Sequence, residues 1–429
     1  MRILILSSTV LSVDNSFGNS FNNIFKGLND VEIANIFCEG NTYINDLNVI
    51  SYYKIEKENF IKNLINENIP TGYIVKNNEN DINHTNWNKT IKFTKKIRLQ
   101  IFFWMRNVLW KIGRWNSTNL RNFIIDYSPD ILFFPIYYSP IMNDILYYIY
   151  SIIKVPLIGY ISDDNYTLKQ FNLSPLYWID RLWYRKKVKR SIMCCKILYV
   201  ISEIQKREYE KIFNIPCKIL TKMYDFNDKA PKWSFNKKKL TFIYAGNIGS
   251  GRWRTLEILA RVIERLNKEN MICTLNIYTM TPLTWWMKHA FAHKGVIIHP
   301  PVDYKIIQQK QEETDIQVHV EGLSLSSRLT VHQSFSTKLV DFFKLGKPIL
   351  AIGTKDVASI SHLIENDAAI IASDEESVYN QIKRIWGHPE ILEEYGLKAY
   401  ECGQKHHNKK DMQFMLVNDI RIILSNKTL

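Results

Sequence analysis

The densest chemistry in this 429-residue chain lies in Ser334-Phe335-Ser336-Thr337-Lys338-Leu339-Val340-Asp341, which runs on to Gly346-Lys347-Pro348. Ser336 or Thr337 can cap a helix here, and the free first-turn amides of such a helix point at an anion. Lys338 places an ammonium in that first turn, where the helix dipole disfavours a cation unless an anion shares the site. Asp341 follows one turn later, roughly on the same face. Gly346 ends the helix and Pro348 stops it. Amide donors, hydroxyls, an ammonium and a carboxylate together suit a nucleoside diphosphate with its ribose. The same residues would also make an ordinary capped helix with a solvated lysine.

A second candidate is Leu240-Thr241-Phe242-Ile243-Tyr244-Ala245-Gly246-Asn247-Ile248-Gly249-Ser250-Gly251-Arg252, which reads as strand, glycine-rich loop and helix start. Such a loop brings backbone amides against a phosphate. The spacing from Gly246 to Gly251 mimics a P-loop. Arg252, however, stands where lysine is required and Trp253 where Ser or Thr must hold magnesium, which excludes that class. A guanidinium beside a glycine loop still pairs with phosphate in bidentate fashion. Glu321 closes the strand-like segment Asp315-Ile316-Gln317-Val318-His319-Val320 and either offers a carboxylate to a bound sugar or is a plain loop acid. Asp163 follows the buried run ending Gly159-Tyr160-Ile161 and is either a cleft acid or a helix N-cap.

The elements that must hold these residues alternate. Strands are expected at Arg2–Ser7, Val31–Phe37, Ile131–Phe134, Val155–Ile161 and Ile197–Ile201. A second series covers Leu240–Ala245, Ile272–Tyr278, Val296–His299, Asp315–Val320, Pro348–Ile352 and Ala368–Ile371. Several are continuous apolar runs, as parallel strands buried on both faces are. Helical stretches such as Leu256–Asn267, Tyr304–Glu313 and Glu375–Trp386 fall between them. This is the β-α-β rhythm of a doubly wound fold, written twice, with a seam near 218–239 and an amphipathic helix from Asp411 to Ser425.

Length and an apolar content of 46% allow two sizeable cores. Six cysteines without a C-x-x-C pair point to a reducing compartment. The N-terminus reads as a first strand, not a signal segment, and no apolar run is long enough to span a membrane. Heavy use of Ile, Asn, Lys and Tyr points to an AT-rich, bacterial genome. The net charge of +14 calls for an anionic partner. From Lys89 to Arg121 there are nine basic residues and no acidic one, and Phe93, Ile97, Ile101, Trp104, Val108, Ile112 and Trp115 recur at helical spacing. A basic helix bearing Trp and Phe suits a membrane interface, with Lys95, Lys96, Trp104, Arg106, Trp110 and Arg114 as contacts; the competing reading is a core helix. Arg181, Arg185, Lys186, Lys187, Lys189 and Arg190 could widen the patch. Nucleic acid is disfavoured, because large aliphatics interleave the basic residues and no nucleic-acid module is present.

The two glycine- and helix-based sites, both at strand C-termini in one half, resemble those of GT-B glycosyltransferases, in particular the family 4 type that assembles bacterial surface polysaccharides. The resemblance is sharpest from Leu240 to Leu363. It implies an α/β fold of two Rossmann-like doubly wound domains facing a central cleft: 1–220 for the acceptor, 221–400 for the nucleotide-sugar, and a helix in 401–429 packing back towards the first. It implies donor contacts from Gly246, Asn247, Gly249, Arg252, Ser336, Thr337 and Lys338, with Asp341 on the ribose where relatives have Glu. Gln333 or Ser334 falls where relatives carry a further glutamate. Asp163 and Glu321 become the catalytic candidates, and Ser16, Phe17 and Gly18 an acceptor-side glycine loop.

The expected reaction moves a sugar from a nucleotide-diphosphate donor to a saccharide or polyprenyl-linked saccharide acceptor, on the inner face of the cytoplasmic membrane. Retention of configuration is implied by the resemblance alone. No cofactor and no metal are expected: there is no Asp-x-Asp element, His289 and His293 lack a zinc-protease glutamate, and His406 and His407 read as solvated. The alternatives are a nucleotide-sugar epimerase or hydrolase, or a non-catalytic membrane-associated subunit of a polysaccharide assembly complex.

Overall fold

The computed structural model describes residues 1–41, 43, 45, 47–75, 107–231, 235 and 239–426. Two sheets organise the chain. The first holds β1 (Arg2–Leu6), β2 (Glu32–Phe37), β3 (Val49–Ile55), β4 (Gly72–Val75), β5 (Ile131–Pro135), β6 (Leu157–Ile161), β7 (Cys195–Val200) and β8 (Cys217–Ile219), in the order β4-β3-β2-β1-β5-β6-β7-β8. All its pairings are parallel except that of the edge strand β4. The second holds β9 (Leu240–Ala245), β10 (Cys273–Tyr278), β11 (Val296–His299), β12 (Ile316–Val320), β13 (Ile349–Ile352) and β14 (Ile370–Ala372), in the order β11-β10-β9-β12-β13-β14, parallel throughout.

The strands formed where continuous apolar runs require burial on both faces: β5, β6, β12 and β13 are buried along their whole lengths. Helices cover the sheets through apolar stripes. On Arg252–Lys268 the buried side chains include Leu256, Leu259, Ile263 and Leu266, at i, i+3, i+7 and i+10. Beyond the expected strands the first sheet gains β3, β4 and β8, which widen it on both sides.

The strand order reverses direction between β1 and β5 in the first sheet and between β9 and β12 in the second. At such a switch point neighbouring loops diverge and leave a crevice beyond the strand C-termini. The loops after β9 and β12 carry Gly246–Gly251 and Glu321, so topology alone sets those residues at one crevice.

The chain passes between the sheets twice. Residues 220–224 lead out of the first sheet. The chain returns at 407–409, where Tyr224 and Asn408 form a parallel bridge. The final helix, Lys409–Ser425, lies against the first sheet's side: Gln413 donates to the carbonyls of Ile24 (2.9 Å) and Lys26 (3.0 Å), and Asp419 accepts from the Tyr199 hydroxyl (2.8 Å). No described helix is long and apolar enough to cross a membrane.

Candidate functional site

The glycine loop after β9 turns on residues with positive φ: Gly246 (153°), Ser250 (52°) and Gly251 (80°). Asn247 stiffens it from within. Its side-chain oxygen accepts from the Gly249 amide at 2.5 Å, and its carbonyl accepts from the Tyr244 hydroxyl at 2.6 Å. The bare backbone of Gly246 makes room for the Lys338 ammonium, which fills the space that a β-carbon there would take.

Lys338 opens the helix Lys338–Leu345, which buries Leu339, Val340, Phe342 and Phe343 and stops at Gly346 in the left-handed conformation. The expected side-chain cap is absent. Thr337 already has helical dihedrals (φ −61°, ψ −18°) and its hydroxyl bonds no helix amide, because a helical backbone swings the side chain away from the N2 and N3 amides. Ser336 instead donates its own amide to Ser359 Oγ at 2.9 Å. Neither side chain therefore competes for the helix's first amides. Lys338 has no carboxylate partner within ion-pair distance among the described residues. Burial, with the nearby Arg252 guanidinium, pushes its pKa down to about 8 against the opposing pull of Glu321 and Asp341.

Gly246, Asn247, Lys338 and Asp341 form one end of a cleft of about 650 Å³. The other end is mostly apolar, built by Thr279–Pro282 after β10, Pro301 and Val302 after β11, and Tyr304 and Ile307 of the next helix. Tyr278 enters the wall with its ring stacked on His299 (4.2 Å, 6°). No motif in the sequence marks this second wall. Its only signal was that the loops after β10 and β11 must open onto the same crevice.

Arg252 and Glu321 stand beside the cleft as a pair. Arg252 Nε and Nη2 lie 2.9 and 2.8 Å from Glu321 Oε2, and His319 Nε2 lies 3.4 Å from Oε1. Glu321 is 2% exposed. Its burial raises the pKa, yet His319 and Arg252 outweigh it and hold the carboxylate below its usual range. The guanidinium expected to be open to a phosphate is thus already engaged, and Glu321 is a buried counter-ion, not a loop acid. Asp341 is engaged as well: Lys222 Nζ lies 2.5 Å from Oδ1, and the Tyr304 phenol stands close enough to feel the charge of the carboxylate. Burial and Asp341 push that phenol up to about 12.

On the opposite sheet, Asp163 is exposed at the end of β6, though flanking protein and the charge of Asp164 push its carboxyl above the usual range. The adjacent acids divide their roles. Asp164 accepts from the amides of Tyr166 (3.1 Å) and Thr167 (2.7 Å) and pairs with buried Arg181 at 3.1 Å, so it is structural, whereas the Asp163 carboxylate has no hydrogen-bond partner among the described residues. Gln205 Nε2 links the Asp163 carbonyl and Gln333 Oε1, each at 3.3 Å. Gln333 also donates to Glu208 at 2.5 Å and its carbonyl accepts from Ser202 at 2.7 Å. It is a buried cross-link between the two halves, not an acid in the cleft.

Other expectations are corrected by packing. Ser16, Phe17 and Gly18 are not a loop but the first turn of the helix Ser16–Phe25, which Asn15 caps through Gly18 N at 2.7 Å. Phe17 packs on Phe21 (4.3 Å), and a β-carbon on Gly18 would strike the Ser12 backbone. Trp110 is not a membrane contact: it is 4% exposed and sits edge-on to Phe60 at 4.8 Å. Arg114 is exposed and paired with Glu67. Lys95, Lys96, Trp104 and Arg106 lie outside the described residues. The second basic cluster divides. Arg181 is buried and Lys187 pairs with Asp144 at 2.5 Å, while Lys186 and Lys189 stay exposed. On the same helix, Pro175–Met193, the exposed side chains include Leu176, Ile179, Leu182 and Trp183. His407 is buried against Phe335 (5.2 Å, stacked), not solvated. Among the described residues no three His, Cys, Asp or Glu side chains gather as a metal-holding group.

No model of a known protein family matches this sequence, and no curated protein matches it. Solved structures do. The chain is similar to sucrose-phosphate synthase from Thermosynechococcus elongatus (TM-score 0.64, 11% identity, 99% of this chain and 100% of that one). It is also similar to HepE of Anabaena, solved with UDP and glucose (TM-score 0.59, 10% identity, 98% and 99%). A third is the N-terminal domain of trehalose-6-phosphate phosphatase from Candida albicans (TM-score 0.58, 11% identity, 98% and 97%). At these identities the likeness is one of fold, and the fold is GT-B: two Rossmann-like units with their strand C-termini turned to a shared cleft.

Proposed function

We propose that this chain is a glycosyltransferase that takes a sugar from a nucleotide-diphosphate donor. The observation that carries the reading is the convergence of the Gly246 loop and Lys338 on one cleft, with a half-buried ammonium that has no carboxylate partner among the described residues. A partly buried cation without a counter-ion is costly, and a bound anion would repay it. The nucleoside fits the apolar wall at Thr279–Pro282 and Tyr304, with the ribose hydroxyls on Asp341 and the diphosphate at Lys338, the Gly246–Asn247 backbone and the uncapped helix. As the bond to the sugar breaks, negative charge grows on the leaving diphosphate, and the fixed charges of Lys338 and the neighbouring Arg252 stabilise it without a metal or cofactor. HepE was solved with UDP and glucose, which supports a nucleotide-sugar donor here.

In this reading the first unit (1–220) takes the acceptor, with Asp163 as the acid facing the reacting carbon. Glu321 fixes Arg252 and is a positioning residue. The acceptor is a saccharide or a polyprenyl-linked saccharide, transfer proceeds with retention, and the enzyme works at an anionic membrane. Leu176, Ile179, Leu182 and Trp183 project outward beside exposed Lys186 and Lys189, and Val108 and Ile112 are exposed next to Lys111. Lys111 Nζ lies 5.7 Å from the Trp183 ring, which makes these one surface. Apolar side chains interleaved with lysines suit the headgroup boundary of anionic lipid.

Thermal shift with a panel of nucleotide-sugars, followed by product analysis with candidate acceptors, tests the reading. Ligands that bind only the native state raise the melting temperature. Absence of any shift at millimolar concentration would leave the non-catalytic subunit as the better account. Turnover without an acceptor would favour an epimerase or hydrolase.

A further inference from the structure

The ion pair between Lys222 and Asp341 joins two parts of the chain 119 residues apart. Lys222 belongs to neither sheet; it sits in the 220–224 segment that leads from one to the other. That segment is tightly held. The Met223 amide and carbonyl both bond Asn23 (2.8 and 3.0 Å), the Lys222 carbonyl bonds His407 Nδ1 at 3.3 Å, and Tyr224 is bridged to the returning chain at Asn408. The ammonium is therefore delivered to the cleft from a fixed backbone.

A charge count shows what it does there. Arg252 and Glu321 cancel, Lys222 and Asp341 cancel, and Lys338 leaves the cleft with one net positive charge. A nucleoside diphosphate brings at least two negative charges. Without Lys222 the cleft would be neutral, and a bare Asp341 carboxylate would stand one helical turn from the phosphate site and repel the ligand. A carboxylate also offers about four lone-pair positions. Lys222 occupies one, which fixes the group and leaves enough for vicinal ribose hydroxyls.

We infer that Lys222 is a positioning residue of the donor site, supplied by the crossover between the two halves, which orients Asp341 for a ribose and neutralises it so that a diphosphate can bind beside it. This rests on the donor-site reading above. The test is calorimetric titration of UDP, GDP and ADP, and of the matching nucleosides, into the full chain and its variants. Lys222→Met should weaken the diphosphate that the wild type binds by tenfold or more and the nucleoside by under threefold. Lys222→Arg should restore diphosphate affinity to within about threefold of the wild type. Lys222→Met with Asp341→Asn, which restores the single net positive charge, should bind the diphosphate better than Lys222→Met alone. Wild-type affinity in Lys222→Met, or losses in the double variant that simply add, would overturn the inference while leaving the donor site standing. A wild type that binds none of the three diphosphates overturns the donor reading itself and this inference with it.

Discussion

The Lys338 ammonium lies in the space that a β-carbon on Gly246 would need, 5.5 Å from the centroid of the Tyr244 ring. Gly246→Ala therefore sets a methyl against the tip of a flexible side chain, on a backbone with φ of 153° that alanine tolerates poorly. The lysine can swing away, so the stability cost stays near 1–2 kcal/mol. The displaced ammonium can no longer meet a phosphate. We expect a loss of nucleoside-diphosphate affinity of tenfold or more, read by calorimetry, with a cooperative melt only a few degrees lower.

Lys338 itself should trade stability against binding. Its pKa is about 8 in the fold and about 10.5 in an unfolded chain, so below pH 8 the folded state bears a charge it disfavours, and the penalty fades as pH rises from 8 towards 10.5. Lys338→Met should stabilise the unliganded protein at pH 7, by up to about 2 kcal/mol after allowance for solvent screening, and raise its melting temperature. The same variant should lose diphosphate binding. Wild-type affinity should fall as pH rises through about 8. A variant that is less stable at pH 7 would show that the ammonium is well paired in the native state.

Arg252→Ala should destabilise more than Glu321→Gln. The first leaves a 2% exposed carboxylate without its guanidinium, a change of about 3 kcal/mol, whereas the second removes the buried charge itself. Glu321 has a depressed pKa, so its favourable contribution exists above the ordinary glutamate range and is lost as pH falls through the lowered value. Urea unfolding of both variants at pH 7 gives the order; equal losses would place the Arg252 effect in packing.

Much of this was legible in advance, and what was not has physical causes. The continuous apolar runs marked the buried parallel strands, because both faces of such a strand must be covered. β8, three residues long, and β4, on an edge, carry too little pattern to stand out. Lys338 and Asp341 stood out because an ammonium, a carboxylate and a helix-ending glycine fall within one segment, although the cap expected there does not form. Lys222 was not, because its partner is brought to it only by the crossover. Trp110 was misread because helical spacing records that a face is apolar, not whether protein or lipid covers it.

His362 and His407 should set the acid limit of the fold. Their rings are 5.4 Å apart, and burial pushes their pKa values down to about 4 and about 3, with neighbouring histidines adding to the effect. Histidines that stay neutral in the fold but titrate near 6.5 when unfolded contribute full stability above pH 6.5 and lose it as pH falls. At pH 5 each site costs up to about 2 kcal/mol relative to pH 7.5. Urea unfolding should show that loss in the wild type and a smaller one in His407→Phe, which keeps the stack on Phe335. An unchanged pH slope would mean that both rings protonate freely in the native state.

The proposed membrane surface can be separated from the core by two sets of substitutions. Ile179 is 58% exposed and Leu182 51%, and both share the outward face of their helix with Trp183. Trp110 belongs to the core under the first sheet, 4% exposed. Replacing Ile179, Leu182 and Trp183 together with Ser should leave the melting temperature within a few degrees, since their side chains already meet water. It should cut sedimentation with vesicles containing phosphatidylglycerol by tenfold or more, because each large apolar side chain withdrawn from a bilayer forfeits on the order of 1–2 kcal/mol. Trp110→Ser should unfold the protein or lower its melting temperature sharply, at a cost of about 3–5 kcal/mol. A triple variant that binds anionic vesicles as well as the wild type would assign this surface to another partner.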